Sequence, residues 1–292
     1  MRLIITLLLS LNACFVFAQS DTTFVFLNEN GKKVKEEKAK FIVKTYSSVE
    51  GWVKDVYTLN GVLEIREAFA DERCLIINGK TQVFKSGQIF TDGNYFKGQR
   101  SGTWSTYNSD GKVIAIKNYM LNYLNGDYNV FWPSGKPKVV GVYAQNKRFG
   151  EWVFTYENGA VAAKVVYDGK GVAKESFYHD LNGKPTNPES IERRPEFPSG
   201  PNAFYRFIGQ NLKYPLEDAK MGTSGEVVCG FTINEDGIVG NVFVASSPSN
   251  SFAYEAIRVL KLSPKWQAGT LFGEPIEVEY TVPIKFGITT IR

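Results

Sequence analysis

A 24-residue period runs through the middle of this 292-residue chain and constrains its fold more than any other feature. The residues that recur at this spacing are Gly102, Gly126 and Gly150, then Gly111, Gly135 and Gly159, and also Tyr95, Tyr119, Tyr143 and Tyr167. An aromatic residue follows the first glycine of each unit by two positions, as Trp104, Tyr128 and Trp152. A fixed period of this length is typical of arrays in which one supersecondary unit stacks on the next. We therefore interpret residues 79–187 as such an array.

Each unit is predicted to be a β-hairpin. In one unit, short strands at residues 102–107 and 112–119 flank Asn108-Ser109-Asp110-Gly111, which has the composition of a hairpin turn. A second turn of six residues, at 97–102, is predicted to join one unit to the next. Because a single hairpin cannot bury its aromatic face alone, stacked units predict one elongated sheet or solenoid.

This arrangement of glycines and aromatic residues resembles the MORN-type repeats of bacterial YwqK-like proteins. The resemblance covers about a third of the chain and implies an architecture more than a function, since those repeats occur in proteins with many roles.

Residues 19–78 are predicted to be a β-rich lead-in or degenerate repeats. Their charged run at 32–40 is expected to be a solvated helix face. The aromatic residues of the units are expected to pack against one another rather than bind a ligand.

The N-terminus predicts export. Arg2 precedes an apolar run at residues 3–18, which is typical of a signal peptide and is shorter than the ~20 residues that a spanning helix needs. A cleaved leader at 1–18 is the main prediction. An uncleaved anchor, or a lipoprotein-type cleavage at 11–14, are the alternatives, and only these would make the chain membrane-associated.

Two cysteines outside the leader, Cys74 and Cys229, are predicted to be buried thiols rather than a disulfide.

Composition indicates a mostly β protein that does not bind nucleic acid. Glycine, tyrosine and phenylalanine number 27, 15 and 21, against 3 methionines, a balance that favours strands and turns over long helices. The formal net charge of +4 is too small and too dispersed for a nucleic-acid footprint.

The last hundred residues change in character. A proline-rich linker is predicted at 188–201, because proline at that density prevents regular pairing and stiffens a connection. Beyond it, within a module at 202–292, the predicted elements are a helix at 203–212, strands at 227–233 and 238–245, a helix at 252–261 capped by Ser251, and a strand at 276–286. This order is α, β, β, α, β.

That order carries motifs that resemble the TonB C-terminal domain over roughly residues 196–287. The motifs are Lys213-Tyr214-Pro215, Gly225-Glu226-Val227, Glu235-Asp236-Gly237, Ser263-Pro264-Lys265-Trp266 and the strand from Tyr280 to Phe286. The resemblance implies a periplasmic or cell-envelope protein that captures the TonB box of an outer-membrane transporter as an added strand, near the last strand and the Tyr-Pro segment, and so supports energy-coupled transmembrane transport. Inner-membrane motor proteins are doubtful partners, since in that family they engage a membrane helix bearing a histidine and this N-terminus has none.

The residues of the last strand also favour strand capture on physical grounds. Pro283 has no N–H, so its strand is expected at a sheet edge with that nitrogen facing the unpaired side. Alternate residues share a direction, so the N–H groups of Thr281, Glu279 and Glu277 would form an open ladder for a guest peptide. With Tyr214 and Pro215, these three are the predicted partner-binding residues. An edge that its own proline and charges protect, with no guest, is the alternative.

No constellation for catalysis or metal binding is evident. His179 is the single histidine, which leaves neither a nucleophile-histidine arrangement nor a zinc cluster. Glu277 and Glu279 would lie about 7 Å apart on one strand face, a separation that a glycosidase uses, but their context is that of an ordinary half-solvated strand. We expect no catalytic residue, no cofactor and no metal site. The rival to a transporter-binding role is an envelope scaffold that acts through its aromatic β-repeats.

Overall fold

A single antiparallel sheet of 13 strands, hereafter the long sheet, forms the first part of the molecule. The computed structural model describes residues 22–29 and 31–287, so the predicted signal peptide lies outside the described residues. The strands follow one another in chain order across the sheet. They are β1 (Thr23–Leu27), β2 (Phe41–Ser48), β3 (Gly51–Thr58), β4 (Leu63–Phe69), β5 (Ile77–Lys85), β6 (Gln88–Phe96), β7 (Gln99–Tyr107), β8 (Val113–Met120), β9 (Tyr123–Phe131), β10 (Pro137–Ala144), β11 (Lys147–Thr155), β12 (Val161–Tyr167) and β13 (Ala173–Tyr178).

The remainder, residues 188–287, we call the terminal module. Its elements are α1 (Pro188–Ile191), β14 (Glu192–Arg193), α2 (Pro201–Asn211), α3 (Leu216–Met221), β15 (Gly225–Ile233), β16 (Val239–Ser246), α4 (Asn250–Lys261), β17 (Gly269–Leu271), β18 (Glu274–Ile276) and β19 (Val278–Phe286). They form two three-stranded sheets, ordered β14-β17-β18 and β16-β15-β19. Strands make up 53% of the structure and helices 14%, which confirms the mostly β prediction.

On one side of the long sheet, the turn between β7 and β8 owes its shape to a single side chain. Asn108 Oδ1 accepts hydrogen bonds from the backbone N–H groups of Asp110 and Lys112, at 3.0 and 2.9 Å, and Gly111 closes the turn at φ 73°. Asparagine and aspartate favour such turns because the short side chain replaces a backbone acceptor. Asp180, after β13 on the same side, makes the same pair of bonds, as do Asp168 on the opposite side and Asn234 in the terminal module.

Three turns on the opposite side are shorter than the predicted six residues. Lys97–Gly98, Leu121–Asn122 and Gln145–Asn146 are two-residue turns in which both residues have positive φ. That geometry matches the right-handed twist of the flanking strands. The predicted six-residue turn at 97–102 is therefore wrong, and β7 already begins at Gln99.

Aromatic residues of the long sheet pack on glycines of neighbouring strands. Trp152 is fully buried, and its ring covers Gly141 so closely that a Cβ on that glycine would lie 2.3 Å from the ring. Trp104 covers Gly93 in the same way, at 2.2 Å. Trp152 belongs to a buried cluster with Tyr128 packed against it, so here the prediction of aromatic packing is confirmed.

The segment before residue 79 joins the same sheet as strands β1–β4. Its charged run, all of which the structure describes, does not form the predicted solvated helix face and contains only one 3₁₀ turn, Glu36–Lys38. Lys33 forms a bridge with Leu27, and the N–H of Lys40 donates to the carbonyl of Leu27 at 2.7 Å, so both ends of the run are tied to β1 rather than to a helix.

The predicted linker contains regular structure. Asn187 caps α1 by accepting from the N–H of Glu189 at 2.9 Å, and Pro188 occupies the first helical turn, where its missing N–H costs nothing. β14 then pairs with β17, as Glu192 with Leu271 and Arg193 with Thr270.

Two boundaries in the module differ from prediction. Ser249, not Ser251, caps α4, since its hydroxyl accepts from Phe252 N–H at 3.1 Å. The predicted strand at 276–286 is divided, because Ile276 ends the hairpin β17–β18 by pairing with Gly269 and β19 starts two residues later. Periodicity of two continues across this break, so the sequence could not reveal it.

Among residues 22–29 and 31–287, two hydrophobic clusters form the core. One is the core of the terminal module, where Trp266 packs against Phe197, Phe204, Phe231 and Tyr280. The other crosses between the two parts, because it unites residues of the long sheet with residues of the module: Val139, Trp152, Phe154, Ala162, Ala163, Val165, Ile191 and Leu271. The long sheet and the module therefore share a core.

Both cysteines among the described residues are free thiols. Cys229 is buried in the module core, and burial raises its pKa to about 12, so it stays protonated at neutral pH. Cys74 is only half-buried and lies in the turn after β4. The predicted thiols are confirmed, but full burial holds for Cys229 alone.

Candidate strand-binding edge

β19 is an edge strand. It pairs with β15 on one side, with Val228 opposite Pro283 and Gly230 opposite Thr281, and no strand of the described chain lies on its other side. Proline cannot donate a hydrogen bond, so the nitrogen of Pro283 must face away from β15. Because N–H direction alternates along a strand, the N–H groups of Thr281 and Glu279 face the same open side.

A groove of about 580 Å³ runs beside this open edge. One wall is β19 itself, through Tyr280, Thr281 and Val282, and the other is the chain from Glu192 to Phe197 with the start of α2. Aromatic side chains form part of the lining, as Phe204, Tyr205, Phe231 and Trp266. The phenol of Tyr280 donates to the carbonyl of Pro195 at 3.0 Å and joins the two walls. An apolar groove beside unpaired backbone suits an extended peptide, which gains both main-chain hydrogen bonds and side-chain pockets.

The side chain of Glu279 is not part of this open surface. It points to the long sheet, where Arg100 donates to both carboxylate oxygens, at 3.3 and 3.1 Å, and Lys117 donates at 3.3 Å. The hydroxyl of Tyr119 also donates to it. Only the backbone of Glu279 therefore remains available to a binding partner.

The charges around Glu279 explain its ionisation. Burial by itself raises the pKa of the Glu279 carboxyl, but the positive charges of Lys117 and Arg100 outweigh it and lower that pKa to about 2. The carboxylate therefore stays ionised and bound throughout the physiological range.

Thr281 and Glu277 differ from Glu279 in exposure. Thr281 is exposed, and its hydroxyl accepts from the side-chain amide of Asn146, which lies in the turn between β10 and β11, at 2.7 Å. Glu277 is exposed and lies before β19 begins, in the short connection from β18. The open ladder thus starts at β19 and does not extend through Glu277.

Tyr214 and Pro215 lie at the opposite end of β19. The ring of Tyr214 packs edge-on against Phe252 and Phe286, and its hydroxyl donates to the carbonyl of Thr223. Pro215 precedes α3 as its cap residue. Both residues shape the core and the entry to α3, and the structure does not bring them together with Glu279 and Thr281.

Sequence reasoning missed the contribution of the long sheet to this site. Arg100, Lys117 and Asn146 meet β19 from strands and turns more than 130 residues away in the chain. The sequence did carry one signal that these strands have a binding role. Arginine recurs at the same position of two repeat units, as Arg100 and Arg148, which are 48 residues or two periods apart.

The fold and the site define a class: a small α/β module that presents an open strand edge, mounted on a long antiparallel sheet. Residues 210–288 match the family model for the Gram-negative bacterial TonB protein C-terminal. The match covers about a quarter of the chain and supports the predicted resemblance for that segment. Members of this family are associated with the cell envelope and generally interact with TonB-dependent transporters of the outer membrane.

Other comparisons add little. A search of curated proteins gave no significant match. Among solved structures, one of a mutant of TarM from S. aureus, in complex with Fondaparinux, alpha-GlcNAc-glycerol and UDP, is 13% identical over 47% of this chain, with a TM-score of 0.22. The matched region spans only 21% of that chain, and a likeness at this score carries no argument. Within the described residues, no helix has the length and apolar character required to cross a bilayer.

Proposed function

We propose that this chain is a noncatalytic binding protein of the cell envelope whose terminal module captures an extended segment of an outer-membrane transporter, the TonB box, on the open edge of β19. Capture supports energy-coupled transport by linking the transporter to this chain. The observation that carries the proposal is the coincidence of an unpaired strand edge with the groove of about 580 Å³ beside it. The TonB C-terminal match, which includes β19, supports it independently.

Three further features belong to the proposal. The N-terminal leader directs export to the periplasm. The long sheet consists of MORN-type units of 24 residues and serves as a spacer or as a second docking surface. Arg194 and Glu196, both exposed beside the groove, contribute side-chain contacts to a bound peptide.

The test is peptide binding to the full chain without its leader. TonB-box peptides from the same organism are titrated into the protein by calorimetry, and Thr281→Pro removes the N–H at the centre of the open edge. Thr281→Val is the matched control, since it keeps the N–H and loses only the hydroxyl that accepts from Asn146. We expect the proline variant to lose binding and the valine variant to keep it.

Two results would contradict this assignment. Equal affinity of the proline variant and the unchanged protein would exclude pairing at β19. Absence of binding to every box peptide would favour the second candidate, an envelope scaffold. A specific observation supports that candidate: several hairpin tips on one rim of the long sheet expose large apolar side chains, namely Val49, Leu75, Ile76, Phe96, Met120 and Leu121.

A further inference from the structure

We propose that the long sheet carries two copies of one carboxylate-binding site, through which it clamps glutamate side chains of its own terminal module. The two sites share an arginine and a tyrosine, Arg100 and Tyr119 in the first and Arg148 and Tyr167 in the second; Lys117 is an addition of the first site, since Val165 stands 48 positions after it. The shared arginine and tyrosine of the first site each lie 48 positions before their counterparts in the second. The two sites are therefore equivalent positions in the chain.

In the second carboxylate site, the guanidinium of Arg148 grips Glu192 with both terminal nitrogens. Nη1 donates to Oε2 at 2.6 Å, and Nη2 donates to Oε1. Nη1 also donates to the hydroxyl of Tyr167 at 3.1 Å, and the guanidinium lies 4.3 Å from the ring centre of Trp152. A planar guanidinium held against an aromatic ring is pre-organised for a two-pronged bond to a carboxylate.

The first carboxylate site repeats these hydrogen bonds, although its guanidinium lies against a different ring. Arg100 donates to Oε1 and Oε2 of Glu279 at 3.3 and 3.1 Å, and to the hydroxyl of Tyr119 at 3.0 Å. Its guanidinium lies 4.2 Å from the ring centre of Tyr119. The hydroxyl of Tyr119 links the two charged groups, because it accepts a hydrogen bond from Arg100 and donates one to Glu279. Hydrogen bonds in such a chain strengthen one another.

A tyrosine–tryptophan pair stands beside each site. Tyr95 and Trp104 meet edge-on beside the first site, with ring centres 5.3 Å apart and an interplanar angle of 88°. Tyr143 and Trp152, 48 residues further on, meet at 4.9 Å and 84° beside the second. Halfway between the two arginines in the sequence stands Leu124, which is buried and has no group that could hold a carboxylate.

Both ion pairs are shielded from solvent, so breaking them should change the stability of the protein more than breaking an exposed pair. The exposed fractions of the side chains are 9% for Arg148, 20% for Glu192, 16% for Arg100 and 14% for Glu279. An exposed ion pair contributes little, but removal of one partner of a buried pair leaves an uncompensated charge. Glu192 belongs to β14 and Glu279 to β19, so the two sites hold the terminal module at two separate strands and fix the direction of the open edge.

The test compares hydrogen exchange in the full chain and needs no guest peptide, so its outcome is independent of strand capture. Peptides that cover β19 report on the first site, and peptides that cover β14 report on the second. The variants for the first site are Glu279→Gln, Arg100→Gln and both together; those for the second are Glu192→Gln, Arg148→Gln and both together. Glu151→Gln is the matched control, because Glu151 pairs with Lys164 within the long sheet and on its exposed surface.

We expect each single variant to accelerate exchange at its own reporter by about tenfold or more, and each double variant to be no faster than its faster single variant. Glu151→Gln leaves both reporters unchanged. The proposal would be overturned if exchange stayed unchanged in both Glu279→Gln and Glu192→Gln. It would also be overturned if the effect of each double variant equalled the product of its two single effects. The glutamate variants keep the test valid if an arginine variant fails to fold, since glutamine has the same size as glutamate and removes only the charge.

Discussion

Glu279 shows how one side chain can acquire a different role from its neighbours on a strand. Its backbone belongs to the open edge of β19, whereas its carboxylate is bound by three side chains of the long sheet, Arg100, Lys117 and Tyr119. The alternation of the last strand predicted the outward direction of this side chain. It could not predict that another part of the chain lies there.

The pH dependence of stability follows from this residue. Its pKa of about 2 lies below the ordinary glutamate value of about 4.3, so the stabilisation is complete above about pH 5 and is lost as the pH falls towards 2. We expect Glu279→Gln to lower the free energy of unfolding by on the order of 2–3 kcal/mol at pH 7. The difference should shrink as the pH falls from 5 to about 2. Urea denaturation over this pH range measures it.

The matched control is Glu151→Gln. Glu151 pairs with Lys164 at a half-exposed position, and pairs of that kind contribute at most about 1 kcal/mol. A constant gap between the Glu279→Gln variant and the unchanged protein from pH 7 to pH 2 would show that the carboxylate is not held in its ionised form.

At the scale of elements, the strands of the long sheet fit together through glycine. β10 passes under the ring of Trp152 at Gly141, and β6 passes under Trp104 at Gly93. A side chain at either glycine would occupy the space of the indole. The spacing of glycines and aromatic residues predicted strands in this region, but the sequence did not show which glycines serve turns and which serve close packing.

We expect Gly141→Ala to destabilise the protein by about 1–3 kcal/mol, because the new Cβ would lie 2.3 Å from a buried indole that has little room to move. Gly209→Ala is the control. Gly209 lies in α2, and a Cβ added there would meet no atom within 4 Å, so alanine should add about 0.5–1 kcal/mol of stability. Thermal unfolding of both variants decides the matter, and an unchanged melting temperature for Gly141→Ala would contradict the packing described.

At the scale of the whole molecule, the shared core makes the long sheet and the terminal module depend on each other. Ile191 and Leu271 of the module are buried in the same cluster as Trp152 and Phe154 of the long sheet. The density of prolines predicted a linker at 188–201 without regular strand pairing. Instead, that connection carries α1 and β14, and it contributes Ile191 to the shared core.

Leu271→Ala tests this dependence. Leu271 is 4% exposed, and a cavity at such a site costs about 2–5 kcal/mol. We expect tryptophan fluorescence and far-ultraviolet circular dichroism to report one shifted transition in urea. Leu216→Ala, at a position that is 79% exposed, should change stability by no more than about 0.5 kcal/mol. Two separate transitions in the Leu271→Ala variant would show that the two parts unfold independently.

The sequence by itself determined the local elements and the edge. Spaced glycines and aromatic residues predicted hairpins, asparagine and aspartate predicted their turns, and Pro283 placed its strand at an edge, because each of these depends on backbone geometry within a few residues. The tertiary structure alone decided that Glu279 and Glu192 bind arginines of the long sheet and that the two parts share a core. Those contacts join residues far apart in the chain, and a pattern of neighbouring residues carries no information about which distant surfaces will meet.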